Sequence, residues 1–426
     1  MTENKARKAA IRARMAETGE PYTEAARRLD EQTATTDAAT NPFDAALQQF
    51  GIPQDVLTLA LRHCAETDRY PLLGAETVDR LKIFLDLKDW VSLAKARLGR
   101  PQFPQDTRAY EALRAATSAG EVIVPLTAAT YMEVARISSL RQRTDLANVI
   151  AEISGFVAIT SLSVALEHQL QAALAARLGG PPPAPIPVFG LGNPFAVGEQ
   201  KAFVLRKKGG GAPDLPAALV HEIETAGRVI GEYMMLRGPA PEDLPALRAL
   251  GYRPEEVIKV EEGRVKREKD LAAMLKDGTA DRGRLGDIVA ARYLYWELGD
   301  RLPSMLQPYG LDVSDFFAEG KEWLTALLED IPSAAINITL SDKGFRNSYK
   351  KWAGNDIRDA DATSAAIPYC DIVMTDNYVA AQLAKSPAVA RHGTLVLSRL
   401  SDLNDALPDL IASRAARTSL ATGAAG

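Results

Sequence analysis

Four short segments of the chain carry carboxylates in positions where they could do chemistry together. FLDLKDW puts Asp86 directly after the apolar run Leu81–Leu85, and PYCDIVMTDN puts Asp376 after the run Ile372–Met374. PLTAATYMEVARI puts Glu133 in a helical stretch just behind the run EVIVPLT, 121–127. NDIRDADATSAAI opens a helix with Asp356, Asp359 and Asp361, and Thr363 follows one turn after Asp359 on the same face. A gathering of carboxylates without neutralising lysine or arginine repels itself and is stabilised by a divalent cation. Hard oxygen ligands suit Mg²⁺ or Mn²⁺. A site of that kind binds phosphate oxygens and activates water for in-line attack on a phosphodiester, with one ion or two. Taken singly, each residue has a plainer reading. An aspartate after an apolar strand serves as a turn residue or helix N-cap, Asp356 is placed to cap its own helix, and Glu133 could pair with Arg136 or Arg141.

The elements that must position these groups follow from periodicity. Leu81–Leu85, residues 121–127 (EVIVPLT) and residues 155–162 (GFVAITSL) are short apolar runs of the kind that form buried parallel strands. Helical stretches follow the second and third. The alternation resumes with DIVMTD and with TLVLSRL at 394–400. This predicts an α/β fold with a central parallel sheet and crossover helices. In open parallel sheets ligands bind outside the carboxyl ends of the strands, so Asp86 and Asp376 can converge despite their separation in sequence. Between the two α/β stretches the pattern is helical at 215–236, 256–276, 284–300 and 312–330, after a Pro/Gly-rich stretch, GGPPPAPIPVFGLGNPFAVG, expected to be loop.

The order of these stations resembles the PIN domain, a metal-dependent ribonuclease fold. Its pattern is an aspartate ending the first strand, a glutamate in a helix after the second, an aspartate in a late helix and an aspartate after the fourth strand. The resemblance implies a three-layer α/β/α core with Asp86, Glu133, Asp359 and Asp376 as catalytic, Mg²⁺- or Mn²⁺-binding carboxylates. Asp356 would give support, and Asp361 stands close enough in sequence to compete for the third place. Thr375 would match the small polar residue before the last aspartate. The implied domain plan is a basic N-terminal helical module at 1–35, a linker and helical lead-in at 36–80, and a first core part at 81–178. A helical insertion at 179–351, a second core part at 352–405 and a C-terminal tail at 406–426 complete it. The insertion departs from the compact pattern of the family. The implied activity is that of an endoribonuclease, a hydrolase acting on single-stranded RNA, in the setting of a toxin or defence effector with a protein inhibitor or regulator. The competing reading is a catalytically idle PIN-like shell that binds partners.

Other signals bear on the substrate. SDKGFRNSYKKWAGNDIRD mixes Lys343, Arg346, Lys350, Lys351 and Arg358 with Phe345, Tyr349 and Trp352. Cations that meet phosphates and rings that stack on unpaired bases suit a single strand; an amphipathic helix with its aromatics in the core accounts for the same residues. Arg141 could also reach the cleft. VFGLGNPFAVG lacks the register and flanking elements of a dinucleotide site, and neither GxxxxGK[ST] nor GxSxG occurs. Two cysteines and four histidines, with no CxxC or HxxxH pair, argue against structural zinc or a disulfide framework. The net charge of −5 on 426 residues excludes a bulk polycation and leaves only local basic patches for nucleic acid. No apolar run reaches membrane-spanning length and MTENKARKAAIRARM has no signal-peptide core, so the expectation is a cytoplasmic protein.

Overall fold

A computed structural model describes residues 80–198, 206–207, 210–211, 214–249 and 251–423. The expected N-terminal module and the linker with its helical lead-in lie outside these residues, apart from Arg80. The described strands are β1 (Leu81–Phe84), β2 (Val122–Ile123), β3 (Val157–Ile159), β4 (Phe189–Leu191), β5 (Ile372–Met374) and β6 (Leu395–Leu397). Helices α1 to α6 are Leu87–Arg97, Pro104–Ser118, Ala128–Arg136, Leu140–Ser154, Leu162–Leu178 and Gly192–Ala196. Next come α7 (Ala217–Arg237), α8 (Leu244–Ala249), α9 (Pro254–Asp277), α10 (Leu285–Tyr293), α11 (Leu302–Leu306), α12 (Val313–Ala318) and α13 (Lys321–Glu329). The last five are α14 (Pro332–Arg346), α15 (Gly354–Ala366), α16 (Asn377–Leu383), α17 (Pro387–Ala390) and α18 (Leu400–Gly423).

The sheet runs β2-β1-β5-β6, all parallel, as four of the five apolar runs predict, whereas the third run, β3, pairs antiparallel with β4 instead of joining that sheet as a named strand. Its register pairs Phe84 with Val373, so Asp86 and Asp376, two and three residues further on, leave the sheet at the same edge. β2 is shorter than the run 121–127 because Pro125 has no N–H to give to a ladder. The chain resumes pairing at Leu126, whose N–H bonds Val157 O and whose carbonyl accepts from Ile159 N, both at 2.8 Å, and this links β3 to the sheet.

Four expectations need correction. The Pro/Gly-rich stretch is not all loop: Phe189–Leu191 pairs antiparallel with β3, and α6 follows. The expected helix 312–330 is two helices, because Gly320 sits at φ 86°, outside helical space. The helical insertion does not run to 351 as a separate body. Ile336 and Leu340 of α14 are buried in one cluster with Phe84, Val373, Ala366 and Val379, so α14 belongs to the core around the sheet. The segment expected as a tail from 406 is helical as far as Gly423 in α18, and Arg414 on it donates to the Arg80 carbonyl and to Asp371 Oδ2, each at 2.8 Å.

The rest of the helical region has its own core. Leu166, Leu170 and Leu174 of α5 pack with Leu298, Leu302, Leu306, Phe316 and Leu327. Among the described residues no helix is long and apolar enough to cross a membrane.

Candidate active site

Both strand-tip aspartates start helices. Asp86 has extended backbone (φ −70°, ψ 159°) and its Oδ1 accepts from Leu87 N at 2.6 Å at the head of α1. Asp376 has nearly the same conformation (φ −70°, ψ 165°) and its Oδ1 accepts from Val379 N at 2.7 Å at the head of α16. The plain N-cap reading is therefore true of both. Each cap occupies Oδ1 and leaves Oδ2 as a further acceptor or cation ligand.

Asp86, Glu133, Asp359, Thr375 and Arg358 line one small cleft with Phe84, Thr130 and Thr363. Thr363 Oγ1 donates to the Asp359 carbonyl at 2.5 Å, as their one-turn spacing predicts. The carboxylates feel one another. Burial raises the Asp359 pKa to about 8, with Asp86, Glu133, Asp376 and Asp356 adding to the effect. Burial, and then the Asp86 charge, raise Glu133 against the pull of Arg358 and Arg136. Burial also raises Asp86, with a smaller push from Asp376, while Lys88 and the Leu87 N–H hold it back.

The three candidates at the head of α15 separate cleanly. Asp359 faces the cleft. Asp361 faces the other side of the helix and makes a two-pronged bond with Arg264, at 2.5 and 3.0 Å. Asp356 is tied up locally: its Oδ2 accepts from Ala353 N at 2.7 Å and its Oδ1 meets Lys350 Nζ at 2.8 Å.

The basic residues expected to meet substrate are placed differently from one another. Arg141 and Lys351 are exposed. Lys350 is held between the rings of Trp352 and Tyr378, 4.7 and 4.6 Å from their centroids, and is paired with Asp356. Arg358 is buried, so its expected place on a substrate phosphate is corrected. Its guanidinium bonds Glu133 Oε1 at 3.2 Å, Glu261 Oε2 at 2.6 Å and the Asn355 side chain. Phe345 and Trp352 are core residues 4.6 Å apart, as the amphipathic alternative holds, whereas Tyr349 is fully in solvent.

Three participants had no clear sequence signal. Glu261, on α9, holds both Arg358 and Arg136, the latter at 2.8 Å, and nothing local marks a pairing across so many residues. Arg358 itself stood out as a cation beside Asp359, but its role as an internal counter-ion did not. Asp89, in the first turn of α1, is buried; burial raises its pKa to about 7. Lys88 bonds its Oδ1 at 3.0 Å and its Oδ2 has no partner. By contrast, Asp371 at the opposite end of β5 is neutralised by Lys82 and Arg414, at 3.4 and 2.8 Å.

The donor set suits a hard divalent cation by type and by charge. Among the described residues no lysine or arginine lies within ion-pair distance of Asp86, Asp359 or Asp376. As they stand, however, no three acidic, imidazole or thiol side chains among the described residues are gathered into a chelating group, and Glu133 is engaged by Arg358.

No family model matches the chain, and neither a curated protein nor a solved structure does.

Proposed function

We propose that the protein is a metal-dependent phosphodiesterase with a PIN-like core, cleaving single-stranded RNA. One observation carries this reading: Asp86, Glu133 and Asp359 line one cleft at the carboxyl edge of a parallel sheet, with Asp376 capping the next helix at that edge. Of these four carboxylates only Glu133 has an ion-pair partner among the described residues, and the site is left anionic. Asp86, Asp359 and Asp376 would hold Mg²⁺ or Mn²⁺, with Glu133 joining when released from Arg358. The bound ion would polarise a phosphate oxygen and lower the pKa of water. The protein's own part is to fix Asp86 and Asp376 through their cap bonds, to keep the Asp359 carboxyl in a poorly solvated cleft, and to hold Glu133 through its internal counter-ion Arg358.

A second reading has its own support. The Arg358–Glu133 pair fills part of the cleft, and an internal cation can replace a metal in a PIN-like shell that only binds. The two part company in one experiment: cleavage of labelled single-stranded RNA by the full chain in Mn²⁺, Mg²⁺ or chelator, beside Asp376→Asn. Metal-dependent cutting that vanishes in the variant, with its circular dichroism unchanged, is the result expected of the nuclease. Persistent cutting in the variant would sink the assignment of Asp376, and metal-independent binding without cutting would favour the idle shell.

A further inference from the structure

A groove of about 610 Å³ lies in the helical region, away from the carboxylates, lined by α9, α10 and the turn that follows α10. That turn, Leu294–Leu298, is π-helical. Single π turns inside helices are rare and concentrate at functional sites. Here the turn brings two large aromatics to the surface side by side: Tyr295 is 67% exposed and Trp296 49%, with ring centroids 4.8 Å apart. Burial would favour the opposite arrangement, and the neighbouring Tyr293, Leu294 and Leu298 are in the core. Arg267 lies over the Trp296 ring at 4.5 Å.

Among the described residues, one cation at the groove, Arg267, has no carboxylate within ion-pair distance. Asp270 is paired with Lys266 at 2.7 Å, and Asp281 caps the next turn by accepting from Gly283 N at 2.7 Å. Glu268 is answered by Arg292 at 3.0 Å. Arg267 has a ring rather than a carboxylate beneath it, and the exposed Arg284 reaches Asp287 only at 3.7 Å. The two rings meet edge to face, at 86°, so an unpaired base can stack on the exposed Trp296–Tyr295 pair while the Arg267 guanidinium beside them serves a phosphate. A duplex keeps its bases stacked inside and offers no face to such a platform. Arg267, Arg292 and Trp296 also line a second cleft, whose far wall includes Trp352 and Asp356. Asp356 is in the first turn of α15, the helix that carries Asp359.

We infer that Trp296, Tyr295 and Arg267 form a base-stacking platform that binds single-stranded nucleic acid and feeds it past the head of α15 toward the carboxylate cleft. This rests on the nuclease reading for the direction of the strand, but the binding step can be measured without it. The test is fluorescence anisotropy of labelled single-stranded RNA, single-stranded DNA and duplex, with the full chain in chelator so that nothing is cut. Wild type, Trp296→Ala, Arg267→Ala and Asp376→Asn are compared across a salt series, and each is also assayed in Mn²⁺ on bis(4-nitrophenyl) phosphate, a diester too small to span both places.

Loss of one stacking partner should weaken single-strand binding roughly 10- to 100-fold in Trp296→Ala. Arg267→Ala should weaken it and flatten the plot of log K against log[salt] by about 0.7 if one phosphate contact is lost. Asp376→Asn should lose cleavage of the small diester in Mn²⁺, and Trp296→Ala should keep it. Wild-type affinity in both groove variants would overturn the platform. So would equal affinity for duplex and single strands, or no binding of either single strand by the wild type, which would leave the groove to a protein partner. Cleavage of the small diester judges the nuclease reading separately in every case.

Discussion

Arg358 and Glu133, 225 residues apart in sequence, meet at 3.2 Å inside the carboxylate cleft, and Glu261 of α9 holds the same guanidinium at 2.6 Å. The arginine side chain is 7% exposed and the two glutamates 14% and 12%. Removing one partner of such a buried set leaves the other charges without compensation. Arg358→Ala should therefore destabilise the metal-free protein by about 3–5 kcal/mol. It should also make the protein more dependent on a divalent ion, because binding to the folded state alone raises its stability. Thermal unfolding with and without Mn²⁺ checks this. The variant should gain more in melting temperature from Mn²⁺ than wild type does. An equal gain would mean that Arg358 and the ion do not share the site.

Asp359 makes stability depend on pH. Its folded pKa is about 8, above the ordinary 3.8, so the folded state holds a proton that the unfolded state has released between those values. The contribution is fully present below about pH 4 and is lost as pH rises through about 8. In chelator, Asp359→Asn should remove this slope and be more stable than wild type at pH 9 by about 2–4 kcal/mol. Denaturant midpoints from pH 5 to 9 decide it: parallel curves for the two proteins would show that Asp359 is not held in a poorly solvated, anionic cleft.

The strand-tip aspartates were legible because strands covered on both faces read as unbroken apolar runs. Where such a run stops, the chain is at a sheet edge. The register that brings Asp86 and Asp376 together then follows from a parallel sheet. The choice between Asp359 and Asp361 was not legible. Two positions apart on a helix is about 200° around its axis, and both sides of α15 are partly polar. Only Arg264, 97 residues away, marks the Asp361 side. Arg358 misled for the same reason: a cation beside a catalytic carboxylate looks the same in sequence whether it faces a phosphate or Glu261. The membership of α14 in the core was hidden because a helix that buries Ile336 and Leu340 against a sheet has the same period as one that buries them against other helices.

Asp86 and Asp376 each do two jobs, and substitutions can separate them. Asparagine caps a helix as well as aspartate does, so Asp376→Asn should keep stability to within about 0.5 kcal/mol. Asp86→Asn, which also removes a partly buried charge, should be at least as stable as wild type in chelator. Asp376→Ala should lose about 1 kcal/mol, and Asp86→Ala should be less stable than Asp86→Asn by about as much. Cleavage should fall by about 100-fold or more in the asparagine variants as well as the alanine ones, because a neutral amide no longer supplies the charge the site uses. Melting temperature and single-turnover cleavage, measured on all four proteins, check both halves. Full activity in the asparagine variants would reduce these aspartates to helix caps.

Asp359 and Asp361 should show opposite phenotypes. Asp361→Asn breaks a two-pronged, partly buried bond to Arg264, a loss of about 1–3 kcal/mol in stability, while leaving the cleft intact. Its cleavage rate should stay within a few fold of wild type at a temperature where it is folded. Asp359→Asn should be the reverse: more stable in chelator at high pH, and inactive. Melting temperatures and cleavage rates of the two variants, taken side by side, test the assignment of the third carboxylate. A folded Asp361→Asn protein that no longer cuts would move that role from Asp359 to Asp361.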